Sequence, residues 1–184
     1  MRLFIAIHPD PDMRVALISV QQEMRRRGVR GNFTRAENLH LTLAFLGEYN
    51  DPERVLGAMA SVPFQPLTLQ MESIGSFGDL WWAGLAEDGS LSTLARRLRR
   101  ALAENDIPFD RKRFTPHITL VRRPVYQRDP RLGTMAIPPA AMEADRISLM
   151  LSTRGKSGMI YTELGAVEAC CSAGVPFISE NPLS

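Results

Sequence analysis

Histidine and lysine are both scarce in this chain. Its 184 residues include three histidines, at positions 8, 40 and 117, and two lysines, Lys112 and Lys156. Nearly all of the positive charge is therefore arginine, which suits a planar, bidentate grip on phosphate. A GC-rich coding sequence gives the same bias, so the charge pattern leaves both explanations open.

The chain also has few cysteines and no long apolar run. The two cysteines, Cys170 and Cys171, are adjacent and have no distant partner, which excludes a disulfide framework and fits a reducing compartment. The apolar run Leu3–Ile7 is too short for a signal peptide, and no other run is long enough to cross a bilayer. We expect a cytoplasmic protein without a membrane segment.

The apolar periodicity predicts alternating strands and helices in the order β-α-β-α-β-β-α-β-β-β. The predicted strands cover 2–7, 39–46, 66–77, 80–86, 114–122, 146–152 and 159–165. The first predicted helix begins after a cap at Asp10 or Asp12, the second at Pro52 after Asp51, and the third after a cap at Ser90. We predict one α+β domain of two pseudo-symmetric lobes over 1–167, with sheets lining a central cleft and helices outside. Residues 168–184 have no clear periodicity and are expected to form a loosely attached tail.

Two short stretches echo each other and contain two of the three histidines. His40-Leu-Thr42-Leu and His117-Ile-Thr119-Leu both read His-apolar-Thr-apolar. Strand side chains alternate between faces, so His and Thr of each stretch point the same way, about 6.7 Å apart along the strand. The apolar residues point to the core. Two such strands facing one cleft would hold an anion between two imidazoles.

This residue set suits proton transfer at a phosphate. Imidazole titrates near neutrality, so one His can take a proton from water while the other protonates a departing alkoxide. The hydroxyls of Thr42 and Thr119 can bind the non-bridging phosphate oxygens. One such motif alone is typical of a structural histidine; the repetition favours a shared site. A zinc site lacks further ligands beside these residues, so no metal is predicted.

Two further residues near the motifs stay open at this stage. Arg122 follows the second motif, and strict alternation puts it on the face opposite His117, although the strand ends nearby. At a cleft rim, it could contact phosphate or stack on a base; the alternative is a solvated strand end. His8 follows the first strand without a threonine partner and is predicted to be a loop residue.

The chain resembles the 2H phosphoesterase superfamily, in its RNA 2',3'-cyclic phosphodiesterase (2'-5' RNA ligase) branch. The resemblance covers about residues 2–166. It rests on RLFIAI at 2–7, NLHLTLAFLGE at 38–48, WAG at 82–84, FTPHITLVR at 114–122 and the hairpin at 152–161. His8 departs from the acidic or neutral residue common at that position in the family.

The resemblance implies a bilobal, LigT-like α+β fold and metal-independent opening of a 2',3'-cyclic phosphate end of RNA to a 2'-phosphate. It implies His40 as general acid, His117 as general base, and Thr42 and Thr119 as phosphate contacts. No cofactor, no membrane and no obligate protein partner are implied, and we expect a monomer. Alternatives are another small cyclic phosphate, a 2'-5' oligonucleotide, or a non-catalytic protein that binds RNA ends.

Overall fold

The structure, a computed structural model, describes residues 1–156 and 158–170. Its helices are α1 (Pro11–Arg26), α2 (Pro52–Ala60) and α3 (Ser90–Glu104). Its strands are β1 (Arg2–Ile7), β2 (Arg30–Phe33), β3 (Leu41–Glu48), β4 (Leu67–Phe77), β5 (Leu80–Ala86), β6 (His117–Val125), β7 (Ala141–Ala144), β8 (Arg146–Gly155) and β9 (Gly158–Glu168). All predicted helices and strands are present. The four-residue strands β2 and β7 are additional.

In the described part of the chain, the strands form one sheet with antiparallel pairings. Its order is β7-β4-β5-β6-β3-β1-β8-β9, and β2 also pairs with β6. The shortest pairing lies in the middle of this order, where β3 and β6 pair through Leu41 and Ile118 alone. The sheet therefore divides into two halves that meet where the two motif strands touch, as the predicted bilobal α+β fold requires.

The two halves are not consecutive segments of the chain. One half, β3-β1-β8-β9, combines the first strands with the last, and the other, β6-β5-β4-β7, uses the middle. Helix α1 follows β1 in the chain but packs against β6 and β7, whereas α3 follows β5 but packs against β3 and α2. Helices α1 and α3 thus each cover the half to which their preceding strand does not belong, and this exchange ties the halves together. Helix α2 follows β3 and packs against β8 and β9 of the same half.

The core lies between the sheet and the helices. Leu41, Leu43, Ile118 and Leu120 of the motif strands are all buried there. A second, smaller apolar cluster lies apart from this core and contains Phe4, Ala6 and Met150, with Phe45 and Tyr161 packed against it. The opposite face of the motif strands therefore has apolar packing of its own.

Local signals explain where the helices begin. The Asp10 side chain accepts a hydrogen bond from Met13 N at 2.7 Å and caps α1, followed by Pro11 at its first position. The predicted Ser90 cap of α3 is wrong, because Ser90 is already helical and the cap position is Gly89. The preceding carboxylates cap this helix instead: Asp88 accepts from Ser90 N and Glu87 from Leu91 N.

The predicted tail begins inside a strand. β9 ends at Glu168, the Ala169 N–H donates to Asp145 O, and the Cys170 N–H donates to Phe64 O. Residues 171–184, including Cys171, and Ser157 of the predicted hairpin turn are outside the described residues. The domain boundary at 167 stays a prediction. None of the described helices is long and apolar enough to span a bilayer.

Candidate active site

The structure brings the two predicted motifs side by side. Because Leu41 faces Ile118 in antiparallel register, the same register sets His40 across from Thr119 and Thr42 across from His117. All four motif side chains are half-buried, while the residues between them are buried on the other face. Diagonal neighbours in such a pair are about 7–8 Å apart. Each imidazole therefore stands beside the hydroxyl of the other motif.

Both imidazoles are held in the same way by backbone carbonyls. His40 Nδ1 lies 2.7 Å from Asn38 O, and His117 Nδ1 lies 2.6 Å from Thr115 O. A carbonyl oxygen can only accept, so each Nδ1 carries the proton and donates it. The Nε2 atom of each ring is thereby left for a ligand. When the ring is neutral, that atom is a proton acceptor.

The environment of His40 favours the neutral ring. Burial lowers the pKa of His40 to about 4, against the opposing effect of its hydrogen bond to Asn38. The charges of His8, Arg122 and His117 lower it further. The ring is therefore neutral in the substrate-free protein near pH 7, and a bound anion beside it would raise its pKa.

Each motif histidine packs against two aromatic rings, which the sequence analysis did not single out as site residues. The His40 ring lies 4.8 Å from Phe4 and 5.2 Å from Tyr161, between ring centroids. The His117 ring lies 5.5 Å from Phe77 and 6.2 Å from Trp82. Three of these four rings lie in the segments that carry the resemblance, but their contact with histidine depends on strand register.

Arg122 is on the cleft face, contrary to strict alternation. Strand β6 pairs with β5, and the facing residues are Thr119 with Trp82, Val121 with Trp81, and Arg122 with Leu80. Leu120 is therefore an extra residue, a β-bulge that shifts the alternation by one position. Arg122 shares the face of Thr119, and its charge lowers the pKa of His40. The bulge decides which face Arg122 occupies, whereas its contact with phosphate or a base stays a prediction.

His8 follows β1, as predicted, yet it is close to the motifs. The register of β1 with β3 pairs Ala6 with Thr42 and Ile7 with Leu41, so His8 continues toward His40. Its Nε2 lies 3.3 Å from Met150 Sδ. Burial lowers the pKa of His8, while the nearby Glu163 carboxylate opposes that effect. Among the described residues, no cluster of three or more His, Cys, Asp or Glu side chains could hold a metal ion.

Comparison with known proteins identifies the family. A family model described as the 2'-5' RNA ligase superfamily matches residues 11–156. A protein of Archaeoglobus fulgidus named RNA 2',3'-cyclic phosphodiesterase is 30% identical over 91% of this chain and 100% of its own length. A Thermotoga maritima protein of the same name is 28% identical over 89% of this chain and 93% of its own length. The chain belongs to the 2'-5' RNA ligase superfamily.

Solved structures agree on the fold. E. coli LigT in complex with 3'-AMP has a TM-score of 0.75 and 26% identity, over 91% of this chain and 96% of that one. TT0787 of Thermus thermophilus has a TM-score of 0.73 and 28% identity, over 91% and 97%. The predicted family, LigT-like fold and enzyme class are confirmed by these matches.

Proposed function

We propose that this protein hydrolyses 2',3'-cyclic phosphate ends of RNA to 2'-phosphates, using His40, Thr42, His117 and Thr119 and no metal ion. The observation that carries the proposal is the antiparallel register of Leu41 with Ile118, which brings both motifs to one face. The names of the relatives, RNA 2',3'-cyclic phosphodiesterase, support the same reaction.

The proposed chemistry is an in-line attack of water on phosphorus. His117 takes a proton from the attacking water through Nε2, the bond from phosphorus to the 3'-oxygen breaks, and His40 protonates that oxygen. The products are a 2'-phosphate and a free 3'-hydroxyl. Each positioned proton transfer is typically worth about 10²–10⁴ in rate.

The acid role of His40 depends on the substrate. With a pKa of about 4, the free ring carries no proton on Nε2 at neutral pH. An anionic phosphodiester beside the ring favours the charged form and raises that pKa. We therefore propose that phosphate binding and protonation of His40 are coupled. Resemblance to the family, rather than this electrostatic argument, assigns acid to His40 and base to His117.

The other side chains on the cleft face are proposed to hold the phosphate. Thr42 and Thr119 stand diagonally to one another, each across from a histidine of the other strand, and can donate to different non-bridging oxygens. Arg122 adds a positive charge on the same face. A donor set of hydroxyls, imidazoles and a guanidinium can neutralise phosphate charge without a metal ion, which is the basis for proposing metal independence.

The test is turnover of an oligonucleotide that ends in a 2',3'-cyclic phosphate, with EDTA present. We expect wild-type turnover to persist, and His40→Ala and His117→Ala each to lose about 10²-fold or more. His8→Asn is the matched control, since it removes the third histidine, and is expected to retain most activity. Loss of turnover in EDTA would refute metal independence, and full activity in both motif variants would refute the site.

The remaining alternatives have distinct outcomes in the same assay. Faster turnover of a mononucleotide than of an oligonucleotide favours a small cyclic phosphate as substrate, and cleavage of 2'-5' linkages favours an oligonucleotide of that type. Binding of RNA ends without any turnover indicates a non-catalytic protein. Monomeric state and cytoplasmic location stay predictions from the sequence.

A further inference from the structure

The two motif histidines are held alike by backbone carbonyls, but the residue that holds His40 is also bonded to a distant strand. Asn38, whose O lies 2.7 Å from His40 Nδ1, donates from its side-chain Nδ2 to Met159 O at 2.9 Å. Met159 lies on β9, 121 residues further along the chain. The side chain of Thr115, the equivalent residue beside His117, makes no hydrogen bond within the described residues. The support of His40 therefore extends further than that of His117, through one side-chain amide.

The start of β9 runs alongside the segment that leads into the first motif. Its first residue, Gly158, is next to Arg35, since a Cβ there would lie 3.6 Å from Arg35 Nη2. Three residues further on, the ring centroid of Tyr161 lies 5.2 Å from that of His40. The amide–carbonyl hydrogen bond lies between these two contacts. β9 also pairs with β8 along its length, and β8 pairs with β1, so the accepting carbonyl belongs to a strand of the main sheet.

The backbone of Asn38 is also fixed on its own side of this bond. Asn38 is the last residue of the 3-10 turn Ala36–Asn38, and its N–H donates to Arg35 O at 2.9 Å. The next residue, Leu39, is fully buried in the core. The carbonyl between Asn38 and Leu39 can turn only if the backbone torsions around it change. The turn, the buried leucine and the bond to β9 all oppose such a change.

We propose that Asn38 is a positioning residue for His40, because its bond to Met159 O fixes the carbonyl that holds His40 Nδ1; this rests on the proposed function. The hydrogen bond at Nδ1 sets which ring nitrogen carries the proton and how the ring is oriented. With Nδ1 protonated, Nε2 is left for the departing 3'-oxygen. A carbonyl that turned away would release the ring to its second tautomer, and misplacement by about 1 Å costs about 10²-fold in rate.

Two variants and one control separate this role from a general loss of stability. Asn38→Ala removes the amide and leaves the backbone carbonyl in place. Asn38→Gln keeps an amide donor on a side chain one methylene longer, which can restore the bond to Met159 O. Asn105→Ala is the matched control, because Asn105 Nδ2 also donates to a backbone carbonyl at 2.9 Å, that of Ala101, but at the end of α3.

The first readout is kcat and KM for an oligonucleotide that ends in a 2',3'-cyclic phosphate. The second is the nitrogen-15 chemical shifts of the histidine rings, which report the ring nitrogen that carries the proton. We expect Asn38→Ala to lower kcat by about 10-fold to about 10²-fold with KM little changed. Its His40 shifts should move from one Nδ1-protonated tautomer toward a mixture, while those of His117 stay unchanged. Asn38→Gln should recover most of both readouts, and Asn105→Ala should behave like wild type.

The His40 nitrogen shifts decide whether Asn38 has this role. Unchanged shifts in Asn38→Ala overturn it, whatever happens to kcat, and so do equal changes in Asn105→Ala or in Asn38→Gln. If Asn38→Ala does not fold, Asn38→Ser replaces it, since its hydroxyl ends one bond short of the amide nitrogen that reaches Met159 O.

Failure of the proposed function has a different signature. A wild-type protein that does not hydrolyse the cyclic phosphate refutes the reaction. The nitrogen shifts do not depend on turnover, so displaced His40 shifts in Asn38→Ala would still support the positioning of that ring by Asn38, and unchanged shifts would still overturn it.

Discussion

The substitution Gly75→Ala adds a methyl group that tests how tightly Trp82 packs beside His117. The Cβ of Gly75→Ala would lie 2.5 Å from Cη2 and 3.0 Å from Cε2 of Trp82, and closer still to Cζ2. Carbon atoms pack at about 3.5–4.0 Å, so the indole or the strand must move by about 1 Å. The ring is rigid and is bounded on its other sides by Phe77 and by the Gly84 backbone.

Such an overpacked contact costs about 1–3 kcal/mol of the free energy of unfolding. In a chain of this length, each kcal/mol corresponds to about 2–4 °C in Tm. We therefore expect Gly75→Ala to unfold at lower urea concentration with an unchanged dependence on urea, and to melt about 2–12 °C below wild type.

Gly57→Ala is the matched control for this substitution. Gly57 is exposed in the interior of α2, and a Cβ there would have no atom within 4 Å. Alanine is favoured over glycine in a helix by about 0.8–1 kcal/mol, so this variant should be more stable than wild type. The reasoning fails if Gly75→Ala is as stable as wild type, or if both variants lose stability equally.

Three more predictions follow from single contacts. Asp10→Ala should lower the free energy of unfolding by about 1 kcal/mol in urea denaturation, because its carboxylate caps α1 at Met13 N; unchanged stability contradicts this. In a proton NMR titration, His40 should have a midpoint near pH 4. Because the folded pKa is below the unfolded value, its contribution to stability should be lost as pH falls from 6.5 toward 4; a midpoint near 6.5 contradicts both. Arg122→Ala should raise the His40 midpoint by removing a nearby positive charge; a lowered midpoint contradicts the cleft-face position.

Local signals in the sequence were sufficient for most of the fold. The strand predicted over 80–86 is β5 with the same bounds, and Pro52 begins α2 as predicted. β2 was missed because RGNF is short, mostly exposed and has no apolar alternation. The exchange of helices between the halves was also not predictable, since it depends on contacts far apart in the chain.

The motif residues of the site were visible in the sequence, but their arrangement was not. Alternation predicted that His40, Thr42, His117 and Thr119 lie on polar strand faces. The structure adds the strand register, which sets His40 across from Thr119 and Thr42 across from His117. The face of Arg122 depends on a bulge, whose local signal is a pair of adjacent buried residues, Leu120 and Val121. Exposure of Phe77 depends on packing between strands, which periodicity does not describe.

The most direct test of the central claim is the identity of the product. RNA ending in a 2',3'-cyclic phosphate is incubated with the protein and EDTA, and the product end is assigned by phosphorus NMR. Paired proton transfer with cleavage of the bond between phosphorus and the 3'-oxygen predicts a 2'-phosphate product. Its rate of formation should be about 10²-fold or more lower in both His40→Ala and His117→Ala than in wild type. A 3'-phosphate product, or 2'-phosphate formed equally well by these variants, contradicts the account.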